Sequence, residues 1–237
     1  MSDLRFAALL LVTGVAGACG RIGYDPQPSA GDDAAADAAA DAPSDVPGDA
    51  PPAPIHIYHL NDLSDDLGGP DLISKGGDFV AGGYQFDDDH GLGLIDGLPD
   101  HVYTIDLVYT PTMPLGEWHK LLDFQGRSTD EGLYTHYDSL VYVKVSGTDI
   151  TPSVITGMKS GHQYQITMSR AADGTVTGMV DGAQAFQFQD TTEVAALPGP
   201  DAPLEIFMDD DVTGGGETSY GIVRRIVIFD QVLTAPP

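Results

Sequence analysis

Three short segments between His162 and Gln189 constrain the fold more than any other part of the sequence. Apolar and polar residues alternate in the first segment (YQITMS) and in the last (AFQFQ), and the dipeptides Asp173-Gly174 and Asp181-Gly182 separate the three segments. Alternation places apolar side chains on one face of a strand, and Asp-Gly suits a tight hairpin because glycine tolerates a positive φ. The pattern predicts a three-stranded antiparallel meander.

Similar strand signals recur throughout residues 55–237. Short runs rich in β-branched and aromatic residues, bounded by Gly, Pro or Asp, cover residues 102–109, 140–145 and 222–229. No window of about a dozen residues keeps a helical period together with start and stop signals. We therefore predict an all-β domain of roughly ten to twelve strands, arranged as a two-sheet antiparallel sandwich of the jelly-roll type.

The amino-terminal residues 1–18 predict a signal peptide. An apolar run covers residues 6–18 and is shorter than the about 20 residues that a membrane-spanning helix needs. The small residues that lead into Cys19, the only cysteine, resemble the lipobox of bacterial lipoproteins. That resemblance implies cleavage before Cys19, lipidation of its thiol and a lipid anchor in the membrane. Gly20 after the cysteine favours the outer membrane or cell surface as the location.

An ordinary secretory signal is the alternative, because Ala16 rather than leucine stands three residues before Cys19. The next segment, residues 19–54, consists mainly of Ala, Asp, Pro, Gly and Ser. Such a composition cannot bury enough apolar surface to offset the entropy of ordering, so it predicts a disordered linker. The chain then divides into a signal peptide (1–18), a lipidated cysteine with its linker (19–54) and one domain (55–237).

The net charge of the chain limits the classes of molecule that it can bind. The formal charge at pH 7 is −26. A chain this acidic is repelled by the phosphates of nucleic acid, so nucleic acid is excluded as a partner, whereas divalent cations are favoured.

Several segments, taken in order, resemble bacterial laminin G-like domains of the concanavalin A-like lectin and glucanase superfamily. They are YHLNDLSDDLGG, GGYQFDDD, WHKLLDF, DEGLY, the meander with its two Asp-Gly turns, LEIFMDDD and the final GETSYGIVRRIVIFDQVLT. The resemblance covers nearly all of residues 55–237. It implies a jelly roll of two packed sheets, often with one bound calcium and often with a glycan or an extracellular protein as ligand, and it does not by itself imply catalysis.

The acidic loop after LEIFM offers the best predicted metal site. We predict Asp209, Asp210 and Glu217 as ligands of Ca²⁺, because they combine carboxylate oxygens with a flexible glycine-containing loop, and calcium accepts 6 to 8 oxygens in tolerant geometry. The acidic clusters at residues 87–89 and 65–66 are further candidates. For each cluster the alternative is a set of solvated surface acids.

Catalysis lacks support in the sequence. Glycosidases on this sandwich carry carboxylates at alternate positions of one strand, and the nearest approach here is the pair Glu205 and Asp209. Four residues along a strand correspond to about 13 Å, whereas a retaining mechanism needs about 5 to 5.5 Å. We therefore predict that the protein is not an enzyme.

Recognition of a sugar needs an exposed aromatic ring beside polar groups. Trp118 is the only tryptophan, and both faces of its predicted strand are largely apolar, so we expect Trp118 to pack in the core. The seven scattered histidines are expected at the surface or as satisfied core residues. The sequence favours a surface lipoprotein that displays a non-catalytic, calcium-dependent carbohydrate-binding or adhesive domain. The alternatives are a structural or protein–protein interaction module and, less favoured, a glycoside hydrolase.

Overall fold

The structure is a computed structural model that describes residues 52–237 except residues 88, 146–148, 152, 200, 214 and 215. The predicted signal peptide and Cys19 lie outside the described residues, as does the predicted linker apart from its last three residues.

Fifteen strands make up the described part of the chain, which contains no helix. They are β1 (His56–Tyr58), β2 (Ile73–Ser74), β3 (Asp78–Val80), β4 (Gly83–Phe86), β5 (Leu92–Leu94), β6 (Tyr103–Pro111), β7 (Trp118–Asp123), β8 (Gly132–His136), β9 (Ser139–Val145), β10 (Asp149–Ile150), β11 (Tyr164–Arg170), β12 (Thr175–Val180), β13 (Ala183–Gln189), β14 (Leu204–Ile206) and β15 (Gly221–Phe229). The count exceeds the predicted ten to twelve because several strands have only two or three residues and carry no readable alternation. No helix among the described residues is long and apolar enough to cross a membrane.

The strands form two antiparallel sheets. The larger sheet has eight strands in the order β13-β12-β11-β6-β15-β4-β3, with β1 also paired to β15. The smaller sheet has seven strands in the order β10-β9-β8-β7-β14-β5-β2. The prediction of an all-β, two-sheet antiparallel sandwich is confirmed.

The predicted meander forms β11, β12 and β13. Asp181 and Gly182 both have positive φ, 49° and 78°, which is the conformation of a two-residue type I′ turn. Gly174 has a φ of 82°, and its N–H donates to the carbonyl of Ala171 across the other turn. The turn residues therefore act as their Asp-Gly sequences predict.

The main core lies between the sheets. The larger sheet contributes apolar side chains such as Ile105 and Ile166, and the smaller sheet contributes others such as Leu133 and Leu204. A separate cluster on the smaller sheet joins Tyr134, Val141 and Val143 to the half-buried Trp118. Because this second cluster is not part of the core between the sheets, it places an aromatic surface on the outside of the sandwich.

Candidate functional site

The acidic loop after β14 is held in shape by its own first carboxylate. Asp209 accepts hydrogen bonds from the backbone N–H of Asp210 at 2.7 Å and from that of Glu217 at 3.0 Å. Asp209 is fully buried, and both of its carboxylate oxygens are engaged in this way. Burial raises the pKa of Asp209, and these two backbone donors oppose the rise. The role of Asp209 in the structure is to close the loop.

The second acid of the loop, Asp210, connects the loop to the sheet. Its Oδ1 accepts hydrogen bonds from the backbone N–H groups of Val212 and Thr213 and from the Thr213 hydroxyl. Its Oδ2 lies 3.0 Å from the ammonium nitrogen of Lys120 on β7. Burial alone would raise the pKa of Asp210, but the Thr213 N–H and the Lys120 charge outweigh burial and lower it. Asp210 is therefore a carboxylate in the folded protein.

Lys120 is a fully buried cation beneath the loop. Its Nζ donates to Asp123 Oδ2 at 3.0 Å, to Asp210 Oδ2 at 3.0 Å and to the carbonyl of Thr129 at 3.2 Å. It also lies 5.2 Å from the centre of the Tyr134 ring. A buried charge is tolerated only with such complete pairing.

Three acidic side chains converge above Lys120. Asp130, Asp210 and Glu217 each offer an oxygen, and these oxygens lie within 4.8 Å of one another. Glu217 reaches this position because the backbone N–H of Lys120 donates to the Glu217 carbonyl at 2.8 Å. The structure thus brings together two of the three predicted metal ligands, Asp210 and Glu217, and adds Asp130 in the place expected for Asp209.

Asp130 was missed because its local sequence does not place it near Asp210 and Glu217. It lies in the loop between β7 and β8, 80 positions before Asp210, and its neighbours Glu131 and Gly132 form a shorter acidic segment than the loop after β14. Asp130 is buried and its Oδ1 accepts a hydrogen bond from the Tyr134 hydroxyl at 3.0 Å. Its proximity to Glu217 is a product of the sheet register, which a single sequence does not display.

Glu217 carries the clearest electrostatic signature in the group. Burial, followed by the charges of Asp130, Asp209 and Asp210 and a hydrogen bond to Asp130, raises the pKa of Glu217 to about 7. Its Oε2 is buried without a hydrogen-bond partner. An unpartnered buried carboxylate oxygen beside two other carboxylates has the donor chemistry that calcium prefers. The residues present therefore fit a calcium ion.

Trp118 lies next to this acidic group and presents part of its ring to solvent. Trp118 on β7 and His136 on β8 are directly opposite each other, and their rings stack with centroids 3.7 Å apart and planes 8° from parallel. The Tyr134 ring contacts Trp118 edge-on at 5.8 Å. This position differs from the predicted place of Trp118 in the main core, because Trp118 belongs to the outer cluster.

Two cavities flank this aromatic surface. The first, here called the Tyr137 cavity, has a volume of about 310 Å³ and is lined by Glu117, Trp118, His136, Tyr137, Thr213, Gly216 and Glu217. The second, called the Ile150 cavity, has a volume of about 180 Å³ and is lined by Trp118, Asp130, Val143, Ile150 and Glu217. Since both are lined by Trp118 and Glu217, the two cavities are neighbours.

The other predicted acidic clusters are occupied by local cations or imidazoles. Both oxygens of Asp89 lie 2.9 Å from a guanidinium nitrogen of Arg127. Asp87 pairs with His90 at 2.9 Å. In the earlier cluster Asp65 bonds His56 and Asp66 bonds His59. Among the described residues, neither cluster contributes to the group formed by Asp130, Asp210 and Glu217. His56 and His59 bond to different aspartates.

The pair that most resembles a glycosidase motif lies away from both cavities. Glu205 on β14 is buried, and the Lys75 ammonium lies 3.4 Å from its Oε1. Burial raises the pKa of Glu205, and Lys75 opposes the rise. Asp209, the other member of the pair, is fully buried and bonded to backbone amides. Neither residue lines the Tyr137 or the Ile150 cavity.

Comparison with solved structures identifies similar β-sandwiches. Domain 4 of AbnA, a GH43 extracellular arabinanase from Geobacillus stearothermophilus, solved in complex with arabinotriose, is 14% identical over 76% of this chain and 93% of that chain, with a TM-score of 0.59. Trypanosoma rangeli sialidase in complex with 2,3-difluorosialic acid is 14% identical over 75% of this chain, with a TM-score of 0.57. This chain spans only 30% of that sialidase.

These likenesses show that the domain has the fold of a two-sheet β-sandwich. No protein-family model matches the chain, and no curated protein matches it.

Proposed function

We propose that the domain over residues 55–237 binds a glycan without cleaving it, at the cavities beside Trp118. The observation that carries this proposal is the stacked pair of Trp118 and His136, which forms a partly exposed aromatic surface next to the unpartnered carboxylate oxygen of Glu217. The apolar face of a sugar ring packs on an aromatic ring, while its hydroxyls need polar partners at the edge.

Calcium is part of the proposal. Asp130, Asp210 and Glu217 would hold the ion, and the ion would supply positive charge that offsets the repulsion among their carboxylates. Lys120 provides only one positive charge, which it shares between Asp123 and Asp210, so the raised pKa of Glu217 favours a protonated Glu217 carboxyl when no ion is bound. A divalent cation that replaces this proton satisfies the Glu217 Oε2.

The absence of catalysis is also part of the proposal. Glu217 and Asp130 resemble a glycosidase pair in type, since one carboxyl has a raised pKa beside a second carboxylate. Their carboxyl groups are hydrogen-bonded to each other, however, and a scissile bond needs carboxyl groups about 5 to 5.5 Å apart on its two sides. The pair therefore favours a cation site over hydrolysis.

The glycan assignment agrees with the ligand of one structural neighbour. The arabinanase domain 4 was solved with arabinotriose. At 14% identity this agreement supports the choice of ligand class for a test and does not define the sugar.

The anchoring of the domain rests on Cys19 and the apolar run before it. We expect a lipid-anchored protein at the bacterial outer membrane or cell surface, with residues 19–54 as a stalk. Mass spectrometry of the protein extracted from membranes is the test. Acyl mass on a peptide that begins at Cys19 supports the anchor, whereas an unmodified cleaved amino terminus indicates an ordinary secreted protein.

Adhesion to an extracellular protein is the second candidate function. It is favoured by the adjacent apolar residues Val154 and Ile155, whose side chains are 64% and 73% exposed. They lie beside the edge strand β13, since the Val154 N–H donates to the Ala185 carbonyl at 2.8 Å. Exposed apolar residues at a sheet edge are typical of protein contacts.

A glycan array probed with the purified protein separates the two functions. The proposal predicts binding to a set of glycans in calcium, weaker binding after chelation, and loss of binding in Trp118→Ala. Binding that persists in Trp118→Ala contradicts the site. No glycan binding in calcium, together with capture of an extracellular protein that Ile155→Ser abolishes, favours adhesion.

A further inference from the structure

The Tyr137 cavity and the Ile150 cavity lie side by side at Trp118, and the two together are called the path. Both cavities are lined by Trp118 and Glu217, and each also has lining residues of its own. At one end of the path lies Tyr137, which is 59% exposed, and at the other end lies Ile150, which is 40% exposed. Two adjacent cavities with exposed apolar ends suit a ligand that continues past both ends.

Tyr137 occupies a backbone position that a tyrosine rarely adopts. Residues 137 and 138 form the two-residue turn between β8 and β9, with a φ of 52° at Tyr137. A positive φ at the first turn position alone is the pattern of a type II′ turn, where glycine is favoured. A bulky residue there is strained, and such strain points to a function for the side chain.

The strained turn holds the Tyr137 ring beside the stacked pair. The Tyr137 and His136 ring centroids are 4.5 Å apart, and His136 in turn stacks on Trp118 at 3.7 Å. The three rings therefore form a continuous aromatic row along one side of the Tyr137 cavity. A row of rings offers more than one sugar unit a stacking surface.

The charges around the path select against anionic sugars. Glu117, Asp130 and Glu217 line it, and no described lining residue is Lys or Arg. Lys120 is fully buried beneath the loop and does not line either cavity. Burial lowers the pKa of His136, so this imidazole is neutral at neutral pH. With a calcium ion on Asp130, Asp210 and Glu217 these three carboxylates keep a net charge of −1, and Glu117 adds another negative charge, so a carboxylate-bearing sugar would still meet net repulsion.

We propose that the site binds the interior of a neutral oligosaccharide chain, with one sugar unit in the Tyr137 cavity, the next in the Ile150 cavity, and Tyr137 as an aromatic contact for the first. This inference rests on the proposed glycan-binding function. It adds the class of sugar, the minimum length of two units and a specific role for Tyr137.

Isothermal titration with sugars of increasing length tests the inference. The probes are the mono-, di-, tri- and tetrasaccharides of the arabino-, cello-, malto- and manno- series, titrated into the protein in millimolar calcium, with sialyllactose as the anionic control. For the series that binds, we expect affinity to rise at least tenfold from the monosaccharide to the trisaccharide, and sialyllactose to bind no more tightly than its neutral lactose core.

Two variants test which residues cause the rise in affinity with sugar length. Tyr137→Asn retains a residue that accepts a positive φ, so its melting temperature should be equal to or above that of the wild type. It should bind the trisaccharide at least fivefold more weakly and leave a weak monosaccharide affinity nearly unchanged. Ile150→Ser at the other end should show the same length-dependent loss, whereas the exposed Leu67→Ser should show none.

The outcomes separate the two proposals. Equal affinity for mono- and trisaccharides overturns the two-unit path while the glycan-binding function stands. Full trisaccharide affinity in a folded Tyr137→Asn overturns the role of Tyr137, and preferential binding of sialyllactose over lactose overturns the neutral class. If no sugar binds in any series and the glycan array is also blank, the glycan-binding function itself fails and the path with it.

Discussion

Trp118 and His136 face each other across β7 and β8 with their rings 3.7 Å apart and nearly parallel. The stack joins the sole tryptophan of the protein to an imidazole whose pKa is lowered by burial. Because the same two rings line the Tyr137 cavity, the optical signal of Trp118 reports directly on the candidate site.

Acidification should quench the tryptophan fluorescence through His136. Protonated imidazole is an efficient quencher at stacking distance, and burial lowers the pKa of His136 below the usual 6.5. We expect emission to fall with a midpoint below pH 6.5. A pH titration of the fluorescence of the folded protein measures this, and His136→Gln should remove the transition.

The same shift has a defined effect on stability. The unfolded chain binds a proton at His136 at a higher pH than the folded protein does, so the contribution of His136 to the free energy of unfolding decreases as pH falls below 6.5, and the difference between the wild type and His136→Gln measures this contribution. His119, which is bonded to the Thr218 carbonyl, provides the matched control for the fluorescence titration. A fluorescence transition that survives in His136→Gln and disappears in His119→Gln would contradict the assignment.

Calcium should bind to the group of Asp130, Asp210 and Glu217. Glu217→Gln and Asp130→Asn each remove one negative ligand, so we expect calcium affinity to fall by about tenfold or more, which corresponds to about 1.4 kcal/mol. Isothermal titration and thermal shift in calcium and in chelator provide the measurement. A free calcium concentration of 100 times Kd should stabilise the wild type by about 2.7 kcal/mol.

Asp100→Asn is the control for this series, because Asp100 is an exposed acid that lines neither cavity and does not belong to the group. Asp209→Asn is the informative comparison. It should lose loop stability by about 1–3 kcal/mol, since an amide cannot accept from both the Asp210 and the Glu217 N–H groups. If Asp209→Asn instead abolishes calcium binding while Asp130→Asn retains it, the sequence-based ligand set is the better one.

The raised pKa of Glu217 predicts an unusual pH dependence in the presence of chelator. Its carboxyl has a pKa of about 7 in the folded protein and about 4.5 when unfolded, so the folded state binds more protons between these values. The contribution of Glu217 to the free energy of unfolding should therefore decrease as pH rises from 4.5 through 7, opposite in sign to the contribution of His136. Urea denaturation at several pH values tests this, and Glu217→Gln should reduce the slope.

Sequence patterns predict the fold of this protein better than its candidate site. Alternation in residues 164–169 and the Asp-Gly turns define β11 to β13, because strand periodicity and turn chemistry are local properties. Asp210 and Glu217 share one loop, so composition was enough to select them. The position of Asp130 beside Glu217 and the exposure of Trp118 depend on which strands become neighbours. Pairing between distant segments leaves no local pattern in the sequence.

Asp209 also shows that the sequence alone does not define the ligand set of the candidate metal site. Asp209 and Asp210 are adjacent and chemically identical, yet one closes the loop through two backbone amides and the other faces Lys120. Which carboxylate turns toward the sheet is decided by the loop conformation and by the position of a lysine 90 positions earlier. Residue type alone therefore gives the right loop and an incomplete ligand set.

Lys120 should be far more important for stability than an exposed lysine. Lys120→Met removes the cation between Asp123 and Asp210 and leaves two buried carboxylates unpaired, so we expect a loss of about 3–5 kcal/mol in the free energy of unfolding in chelator. Lys159→Met, at an exposed position, should change it by less than about 0.5 kcal/mol. Urea denaturation measures both.

Calcium should restore part of the stability lost in Lys120→Met. Removal of the ammonium makes the group formed by Asp130, Asp210 and Glu217 more negative, so a divalent cation gains more attraction there than in the wild type. We therefore expect Lys120→Met to bind calcium more tightly than the wild type and to show the larger thermal shift on calcium addition. A variant that is strongly destabilised yet gains less from calcium than the wild type would show that the lysine and the ion do not act on the same carboxylates.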